Sequence, residues 1–513
     1  VANAGGDVTR PHPDEAAMDA APAPYRPREG SIPTLPIPDP AAWRRLHLIG
    51  IGGAGMSGIA RLLLVRGVEV TGSDLKESAG LGVLRERGAR VSVGHRAEQL
   101  GAPDAVVVSS AIPPSNPELR AAAQAGIPVL MRVQVLAALM RDRRTVAVAG
   151  THGKTTTTSM ISVILTHAGL APTFVIGGDL NESGSGAGPG TGDVFVAEAD
   201  ESDGSFLLLR PDVGVITNVE PDHLDFYADA REVESAFASF AVGAGTVVAC
   251  WDDPGVRRSL SGLTNVIRYG TGPGMEVRVP SDADGVIGTP VPFVVRGAET
   301  EVRLAVPGRH NLLNAAAALA VATSLGVDAG VAATALATFT GVRRRFERRG
   351  EVNGTTFVDD YAHHPTEIAV TLRAARMWGP PERDGGAGPG RIVAVFQPHR
   401  YSRTSVMWRE LGESLSAADL VVVTDVYGAG EEPIPGVTGK LVVEALAEAA
   451  PGRRVVYLPR RPDVAPFLAG QVRGGDLVVT LGAGDITMVG TETLDRLQEA
   501  RDASATVRTS REG

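Results

Sequence analysis

From Arg45 onward, short apolar runs bounded by glycine alternate with helix-length segments. Examples are Leu46-His47-Leu48-Ile49, Glu69-Val70-Thr71 and Ala105-Val106-Val107-Val108. This alternation predicts βαβ units on a parallel sheet. The pattern restarts at Thr145-Val146-Ala147-Val148, returns at Val194-Phe195-Val196 and Val213-Gly214-Val215-Ile216, and appears again at Ile392-Val393-Ala394-Val395 and Leu420-Val421-Val422-Val423. Three α/β blocks are therefore expected. Between 274 and 306 the alternation in Met275-Glu276-Val277-Arg278-Val279 and Glu301-Val302-Arg303-Leu304-Ala305-Val306 predicts an antiparallel insert in the middle block, with helix resuming after Pro307.

Other stretches lack periodicity. Residues 1–42 are rich in Pro, Ala and charge and read as a disordered or extended leader. The glycine-rich stretches 183–192 and 379–390 read as mobile surface loops, and the polar tail after Gln498 as frayed.

Composition narrows the function classes. A formal net charge of −10 argues against a general nucleic-acid binder or a membrane-surface protein. Cys250 is the only cysteine, so no intrachain disulfide forms and a reducing cytoplasmic setting is expected. No apolar run approaches the ~20 residues needed to span a bilayer. Basic residues are nearly all arginine, the only lysines being Lys76, Lys154 and Lys440.

Against that background the motifs stand out. Gly50-Ile51-Gly52-Gly53-Ala54-Gly55 follows an apolar strand and precedes a helix-like segment, a setting in which glycines let the backbone approach a pyrophosphate at a helix N-terminus. Asp74 lies roughly 20 residues on, the spacing of an acidic residue that reaches a ribose hydroxyl. Alone this would suggest an NAD enzyme. The second block, however, opens with Gly150-Thr151-His152-Gly153-Lys154-Thr155-Thr156-Thr157 directly after its first strand. That resembles a P-loop, with Lys154 against β/γ oxygens and Thr155 or Thr156 on Mg²⁺, although Val148 stands where the strict pattern has its first glycine.

Two acidic clusters, Ala197-Glu198-Ala199-Asp200-Glu201-Ser202-Asp203 and Asn218-Val219-Glu220-Pro221-Asp222-His223-Leu224-Asp225, also follow strands and so should face the P-loop crevice. Carboxylates and imidazole there can bind a divalent metal beside ATP. The third block carries Asp359-Asp360-Tyr361-Ala362-His363-His364-Pro365 and Gln397-Pro398-His399-Arg400-Tyr401-Ser402-Arg403-Thr404. Arg400 and Arg403 could clamp a carboxylate or phosphate with forked hydrogen bonds.

In this order the motifs, with Gly308-Arg309-His310-Asn311 and Arg344-Arg345-Phe346 between them, resemble the Mur ligases, and within that family the members that add alanine. The resemblance covers roughly residues 46–486. It implies three domains: a Rossmann-like one at 43–143 for the UDP of a UDP-N-acetylmuramate substrate, a central P-loop-type ATPase at 144–341, and a Rossmann-like C-terminal one at 342–498 for the amino acid. Residues 499–513 are left as a tail.

The implied activity is ATP-dependent amide formation between the lactyl carboxylate and L-alanine, through an acyl phosphate, in peptidoglycan precursor synthesis. Implied partners are these small molecules, with no nucleic acid and no membrane, and the chain is expected to be a monomer or weak homodimer. By the same resemblance Lys154, Thr155, Glu198 and His223 match the positions that bind ATP phosphates and two Mg²⁺ ions, within a loop of Gly150, Thr151, His152, Gly153 and Thr156. Asn311, Arg345 and Asp359 match nucleotide contacts, the tandem arginines leaving the register of Arg345 open. Tyr361, His363, His399, Arg400 and Arg403 match the amino-acid side, and Gly52, Gly53, Gly55, Met56, Ser57 and Asp74 the UDP-sugar side. Some Mur ligases hold their second Mg²⁺ with a carbamylated lysine; here the central domain offers only Lys154. A related ligase that attaches a whole peptide to the same UDP-sugar is the nearest rival, disfavoured by the residues around Asp200 and His399.

Overall fold

The computed structural model describes Tyr25 and residues 34–512, apart from 182–183, 225 and 379–389; side chains are described to residue 503. It is an α/β protein with mostly parallel sheets, and its contacts divide into two compact units. One comprises Val1–Gly52, Leu63–Lys154 and Asp193–Arg278, the other Gly53–Leu62, Thr155–Gly192 and Val279–Gly513.

In the first unit a five-stranded parallel sheet has the strands in spatial order 3-2-1-4-5, beginning with Arg45–Ile49 at its centre. The chain leaves this strand on one side to Glu69–Asp74 and on the other to Ala105–Val108, which makes the end of Arg45–Ile49 a topological switch point. Leu46, Leu48 and Ile49 are wholly buried, as a strand covered on both faces requires. The same unit contains parallel strands in which Arg144–Ala149 lies between Val213–Ile216 and Val194–Glu198. The loops leaving these three strands carry residues 150–153, 199–204 and 217–223, so the P-loop and both acidic clusters share one sheet edge.

The second unit contains a six-stranded sheet in which Thr355–Asp360, Asp476–Leu481, Arg391–Phe396 and Leu420–Val423 run parallel in that order. Period-two alternation splits its side chains between two cores: Val358, Ala394, Phe396 and Val421 on one face, Phe357, Val393, Val395 and Leu420 on the other. An edge strand, Glu347–Val352, pairs antiparallel with Thr355–Asp360, which the sequence pattern does not announce.

Several expectations are corrected. The antiparallel insert of the middle block is present as the hairpin Val291–Val295 with Ala298–Val302, but the alternating run at Met275 yields only the short strand Val277–Arg278, which pairs in parallel with the strand Val266–Gly270. The glycine-rich stretch from 183 is not simply a loop: Ser185–Gly188 pairs with Thr173–Leu180, because a side chain at Gly186 would press on the Gly178 carbonyl 2.8 Å away and one at Gly188 on the Phe174 ring. Ser183 and residues 379–389 lie outside the described residues. The tail continues the helix Met488–Glu512 rather than fraying from Gln498. Of the leader, residues 34–42 are held by Gln134 Nε2 donating to the Pro36 carbonyl at 2.7 Å and by a helical turn capped by Asp39.

Candidate functional site

At the switch point of the first sheet, the Gly50 and Ile51 N–H groups donate to the Ser73 carbonyl at 2.8 and 3.0 Å, and the Gly52 N–H donates to Asp74 Oδ2 at 2.9 Å. A Cβ on Gly52 would sit 2.9 Å from the same carboxylate oxygen, so a larger residue there would displace Asp74 from the loop. Gly53 precedes the helix Ala54–Val65, and Gly55, Met56 and Ser57 lie in its first turn, with Met56 buried.

The P-loop is braced from the next strand. Gly150 has φ of +134° and no room for a side chain, a Cβ there falling on Thr217 Oγ1. Thr217 Oγ1 donates to the His152 carbonyl at 2.5 Å, Asn218 Oδ1 accepts the His152 N–H at 2.7 Å, and the Asn218 carbonyl accepts the Thr151 N–H at 3.1 Å. His152 Nε2 faces Glu220 Oε2 at 3.4 Å. Gly153, at φ +80°, turns the chain into the helix Lys154–His167, whose first turn holds Thr155 and Thr156.

Lys154 Nζ donates to the Gly150 and Thr151 carbonyls at 2.6 and 3.2 Å and to Glu201 Oε1 at 2.8 Å. Burial would lower its pKa, but the carboxylates of Glu201, Asp200 and Glu198 outweigh that and raise it, so it stays an ammonium. Burial likewise opposes ionisation of Asp200, and the charges of Arg132 and Lys154 overcome it, bringing the group to about 2. His223 Nε2 lies 3.8 Å from Glu201 Oε1, and its backbone is left-handed at φ +55°, a strained placement for a non-glycine residue. Glu201 Oε2 is buried without a hydrogen-bond partner among the described residues. Three carboxylates with an unused buried oxygen beside an imidazole suit a hard divalent cation. Asp225 of the second acidic cluster lies outside the described residues.

In the second unit, Asn311 opens the helix Arg309–Ser324 behind Gly308 and belongs to a chain of bonds: Thr157 Oγ1 to Asn314 Oδ1, Asn314 Nδ2 to Asn311 Oδ1, and Asn311 Nδ2 to the Pro307 carbonyl. Asp359 is fully enclosed, accepting from Thr480 and Thr487 at 2.6 Å each and pairing with Arg344 at 3.3 Å. Arg344 also donates to the Gly482, Ala483 and Gly484 carbonyls. Any influence of Asp359 on a ligand therefore passes through Arg344. Arg345 instead faces Glu367 at 3.6 Å, and both guanidiniums lie over the Tyr361 ring, at 4.8 Å for Arg344 and 5.1 Å for Arg345.

Tyr361, His363, His399 and Tyr427 form a run of ring contacts, centroid distances being 5.3, 5.5 and 5.9 Å in turn. His363 Nδ1 lies 2.9 Å from the Tyr361 carbonyl. A carbonyl only accepts, so Nδ1 carries the proton and Nε2 keeps its lone pair. Burial, reinforced by Arg403 and His399 against the pull of Glu367, lowers His363 to about 3; burial with Arg403 and Arg400 lowers His399 to about 4. Both rings are neutral near pH 7. Arg400 adopts φ of +68° just before the helix Tyr401–Ser414, and its Nη1 lies 3.9 Å from Glu431, which anchors Ser402. Cationic arginines beside neutral imidazoles can hold a carboxylate while leaving an amine its lone pair.

Three family models match the chain: the Mur ligase catalytic domain at residues 45–144, the Mur ligase middle domain at 148–322, and the Mur ligase glutamate ligase domain at 344–484. The chain belongs to the Mur ligase family. Among similar Mur ligases, the UDP-N-acetylmuramate–L-alanine ligase of Mycobacterium sp. strain JLS is 49% identical over 482 residues, covering 91% of this chain and 97% of that one. The enzyme of the same description from Kineococcus radiotolerans is 51% identical over 466 residues, covering 89% and 96%. Of solved structures, the UDP-N-acetylmuramate-alanine ligase of Thermotoga maritima superposes with a TM-score of 0.75 at 30% identity, covering 89% of this chain and 99% of that one. A murein peptide ligase from Psychrobacter arcticus gives 0.67 at 25% identity, covering 88% and 98%.

In this Mur ligase the motif reading passed over Glu201, Arg344, Glu367, Tyr427 and Glu431 as site residues. Glu367 had a signal: it is the fourth residue of His364-Pro365-Thr366-Glu367 and closes a capping box by accepting the His363 and His364 N–H groups. Tyr427 and Glu431 had none, since they reach His399 and Ser402 from a loop about thirty residues away in sequence.

Proposed function

We propose that this Mur ligase joins L-alanine to the lactyl carboxylate of UDP-N-acetylmuramate at the expense of ATP, in peptidoglycan precursor synthesis. The carboxylate oxygen takes the γ-phosphoryl group of ATP, giving an acyl phosphate and ADP. The alanine nitrogen then attacks the acyl carbon, the bond to the phosphate oxygen breaks, and the nitrogen gives up a proton as inorganic phosphate leaves. A carboxylate needs this activation because its oxygen is otherwise a poor leaving group, and phosphoryl transfer depends on positioning and on masking charge.

The observation that carries the reading is Lys154, kept ionised at the head of a braced P-loop by three carboxylates. In this reading it exchanges Glu201 and the loop carbonyls for ATP phosphates. Glu198 and His223 are the candidates to hold Mg²⁺, with Thr155 a third, and a bound ion would mask phosphate charge. Arg400 and Arg403 take the alanine carboxylate, while His363 Nε2 accepts a hydrogen bond from the amine. Asn311, Arg345 and Asp359 serve the nucleotide, Asp359 through Arg344. Gly52 and Asp74 serve the UDP-sugar. No helix among the described residues is long and apolar enough to cross a membrane; we place the reaction in the cytoplasm, in a monomer or weak homodimer.

Phosphate release from Mg-ATP with UDP-N-acetylmuramate and a panel of amino acids and peptides tests this. Release that requires L-alanine is expected; release that requires a tripeptide would favour peptide ligation instead. Release with neither would sink the proposal.

A further inference from the structure

The first sheet holds a buried ionisable cluster that the ligation steps do not use. Glu118, wholly buried, lies in the first turn of the helix Pro117–Gln124. Its Oε2 lies 2.5 Å from Ser73 Oγ and 3.6 Å from His47 Nε2, and its Oε1 accepts the Arg96 N–H at 3.3 Å. Burial would push its pKa up, but contacts with His47 and Ser73 outweigh it and hold the group below the ordinary glutamate range, as a carboxylate.

A carboxylate can only accept, so Ser73 must give it its single hydroxyl proton. Ser73 Oγ also lies 2.8 Å from His95 Nδ1, and with its proton committed it can only accept there. His95 therefore carries its proton on Nδ1. The 3.5 Å approach of His95 Nδ1 to Glu118 Oε2 favours the same placement. When the ring is neutral, Nε2 is left as a pure acceptor.

His95 lies at the third of three neighbouring strand ends. Gly50 to Gly52 end the first strand, Asp74 ends the next strand outward, and His95 follows the outermost strand, Arg90–Val93, whose next residue, Gly94, donates its N–H to the Asp74 carbonyl at 2.7 Å. In such folds the glycine loop takes the pyrophosphate and the acidic residue that follows takes the ribose, and continuing the same line across the sheet brings the base to the third strand end. Leu75, 69% exposed, and Val93, 38% exposed, offer apolar surface along the same edge.

We propose that Glu118, acting through Ser73, fixes His95 as an acceptor for the ring N–H of uracil, and is thereby a positioning residue for choosing uridine over cytidine. Uracil presents an N–H at ring position 3 where cytosine presents a lone pair, so an acceptor accommodates one and repels the other. The proposal rests on the reading of the first domain as the UDP-sugar site.

The test is made on the full chain without ATP. Nitrogen-15 NMR of the histidines, with His95→Gln to assign the signal, is expected to find the proton on Nδ1 in the wild type. Calorimetric titration with UDP and, separately, CDP is expected to show UDP bound about tenfold or more tightly, the worth of one satisfied against one opposed hydrogen bond. In Glu118→Gln the amide can donate to Ser73, reversing the chain, moving the His95 proton to Nε2 and erasing the preference. Ser73→Ala removes the hydroxyl relay without altering the buried charge and leaves only the longer approach of Glu118 to His95, so it should narrow the preference severalfold, and it decides the matter if Glu118→Gln does not fold. A wild-type proton on Nε2, or an unchanged UDP-to-CDP ratio in both variants, would overturn the proposal. Wild type that binds neither nucleotide while binding ATP would overturn the UDP-sugar reading, and this proposal with it.

Discussion

Lys154 on one side and His363 with His399 on the other are all partly buried, and their surroundings turn that burial to opposite ends. Around Lys154 burial opposes charge, yet the ammonium persists because Glu201, Asp200 and Glu198 surround it. Around His363 and His399 burial is the largest effect and Arg403 adds to it, so the rings lose their protons even though Glu367 pulls His363 the other way. Burial pushes each of these bases toward neutrality, and the charge survives only where carboxylates dominate the surroundings, as they do at Lys154. The first arrangement suits a cation that must meet phosphate; the second suits groups that must leave an attacking amine unprotonated.

The largest test of this contrast removes the cation. Lys154→Ala should lower kcat by about a hundredfold to a thousandfold, the scale seen when one preorganised electrostatic contact to the reacting group is lost. His223→Ala should lose most turnover while its thermal melt stays that of the wild type. Single-turnover phosphate release measures both. Near-normal turnover in Lys154→Ala would remove the ammonium from the chemistry.

The arginines of the other pocket should behave differently. Arg403→Ala or Arg400→Ala is expected to raise the KM for L-alanine roughly tenfold to a hundredfold, because each removes charge-assisted hydrogen bonds worth about 1.5–3 kcal/mol. The KM for ATP should stay within about twofold, a change of under about 0.5 kcal/mol. Steady-state kinetics varying each substrate in turn checks the split. Equal rises in both constants would mean that the two pockets do not divide the substrates as proposed.

Much of this division was legible in the sequence, because strand ends followed by glycine, lysine, histidine or acid mark the ligand edge of a parallel sheet whatever the sequence separation. Lys154, Glu198, His223, His363 and His399 were singled out as candidates that way. What stayed hidden is the partner that arrives from elsewhere. Glu201 sat in plain view within an acidic cluster, but nothing in the pattern distinguished the buried member paired with Lys154 from its more exposed neighbours. The tandem Arg344 and Arg345 were ambiguous for a related reason: left-handed backbone at Arg344 and Phe346 sends the two guanidiniums to different partners, and no periodicity encodes that. The edge strand Glu347–Val352 is mostly charged, so its apolar signal was too weak to announce a strand.

A smaller effect should appear in stability against pH. His363 and His399 fall from an ordinary 6.5 to about 3 and about 4 in the folded chain, so between pH 6.5 and about 4 the unfolded chain binds more protons. Their contribution to stability is complete above pH 6.5 and is lost as pH falls, by at most about 1.4 kcal/mol per pH unit for each ring. Asp360 opposes this: burial raises it from 3.8 to about 6, so it favours the fold as pH falls through that interval. His310, lowered to about 4 by burial, acts with the two rings, and Glu201 and Asp253, raised by burial, act with Asp360. Denaturant melts from pH 7 to 5 should therefore show the wild type losing more stability, or gaining less, than His363→Gln. Parallel slopes would mean that the ring is not neutral in the fold.

The smallest expected effect is none at all, and it concerns carbon dioxide. Carbamylation needs an uncharged amine and turns it into an anion. Lys154, the only lysine between residues 144 and 341, is a partly buried ammonium whose Nζ already donates to two carbonyls and to Glu201 at 2.8 Å. A carbamate there would set a new anion against Glu201, Asp200 and Glu198 and would remove the cation meant for the phosphates. Any second metal must then be held by oxygens already present, among which the unpartnered Glu201 Oε2 is available once Lys154 turns to ATP. Turnover should accordingly be unchanged when bicarbonate and carbon dioxide are stripped from the assay, and intact-mass measurement should find no carbamate on the peptide containing Lys154. A bicarbonate requirement would show that the contrast between the pockets is drawn wrongly, because the lysine could then be made neutral despite the three acids around it.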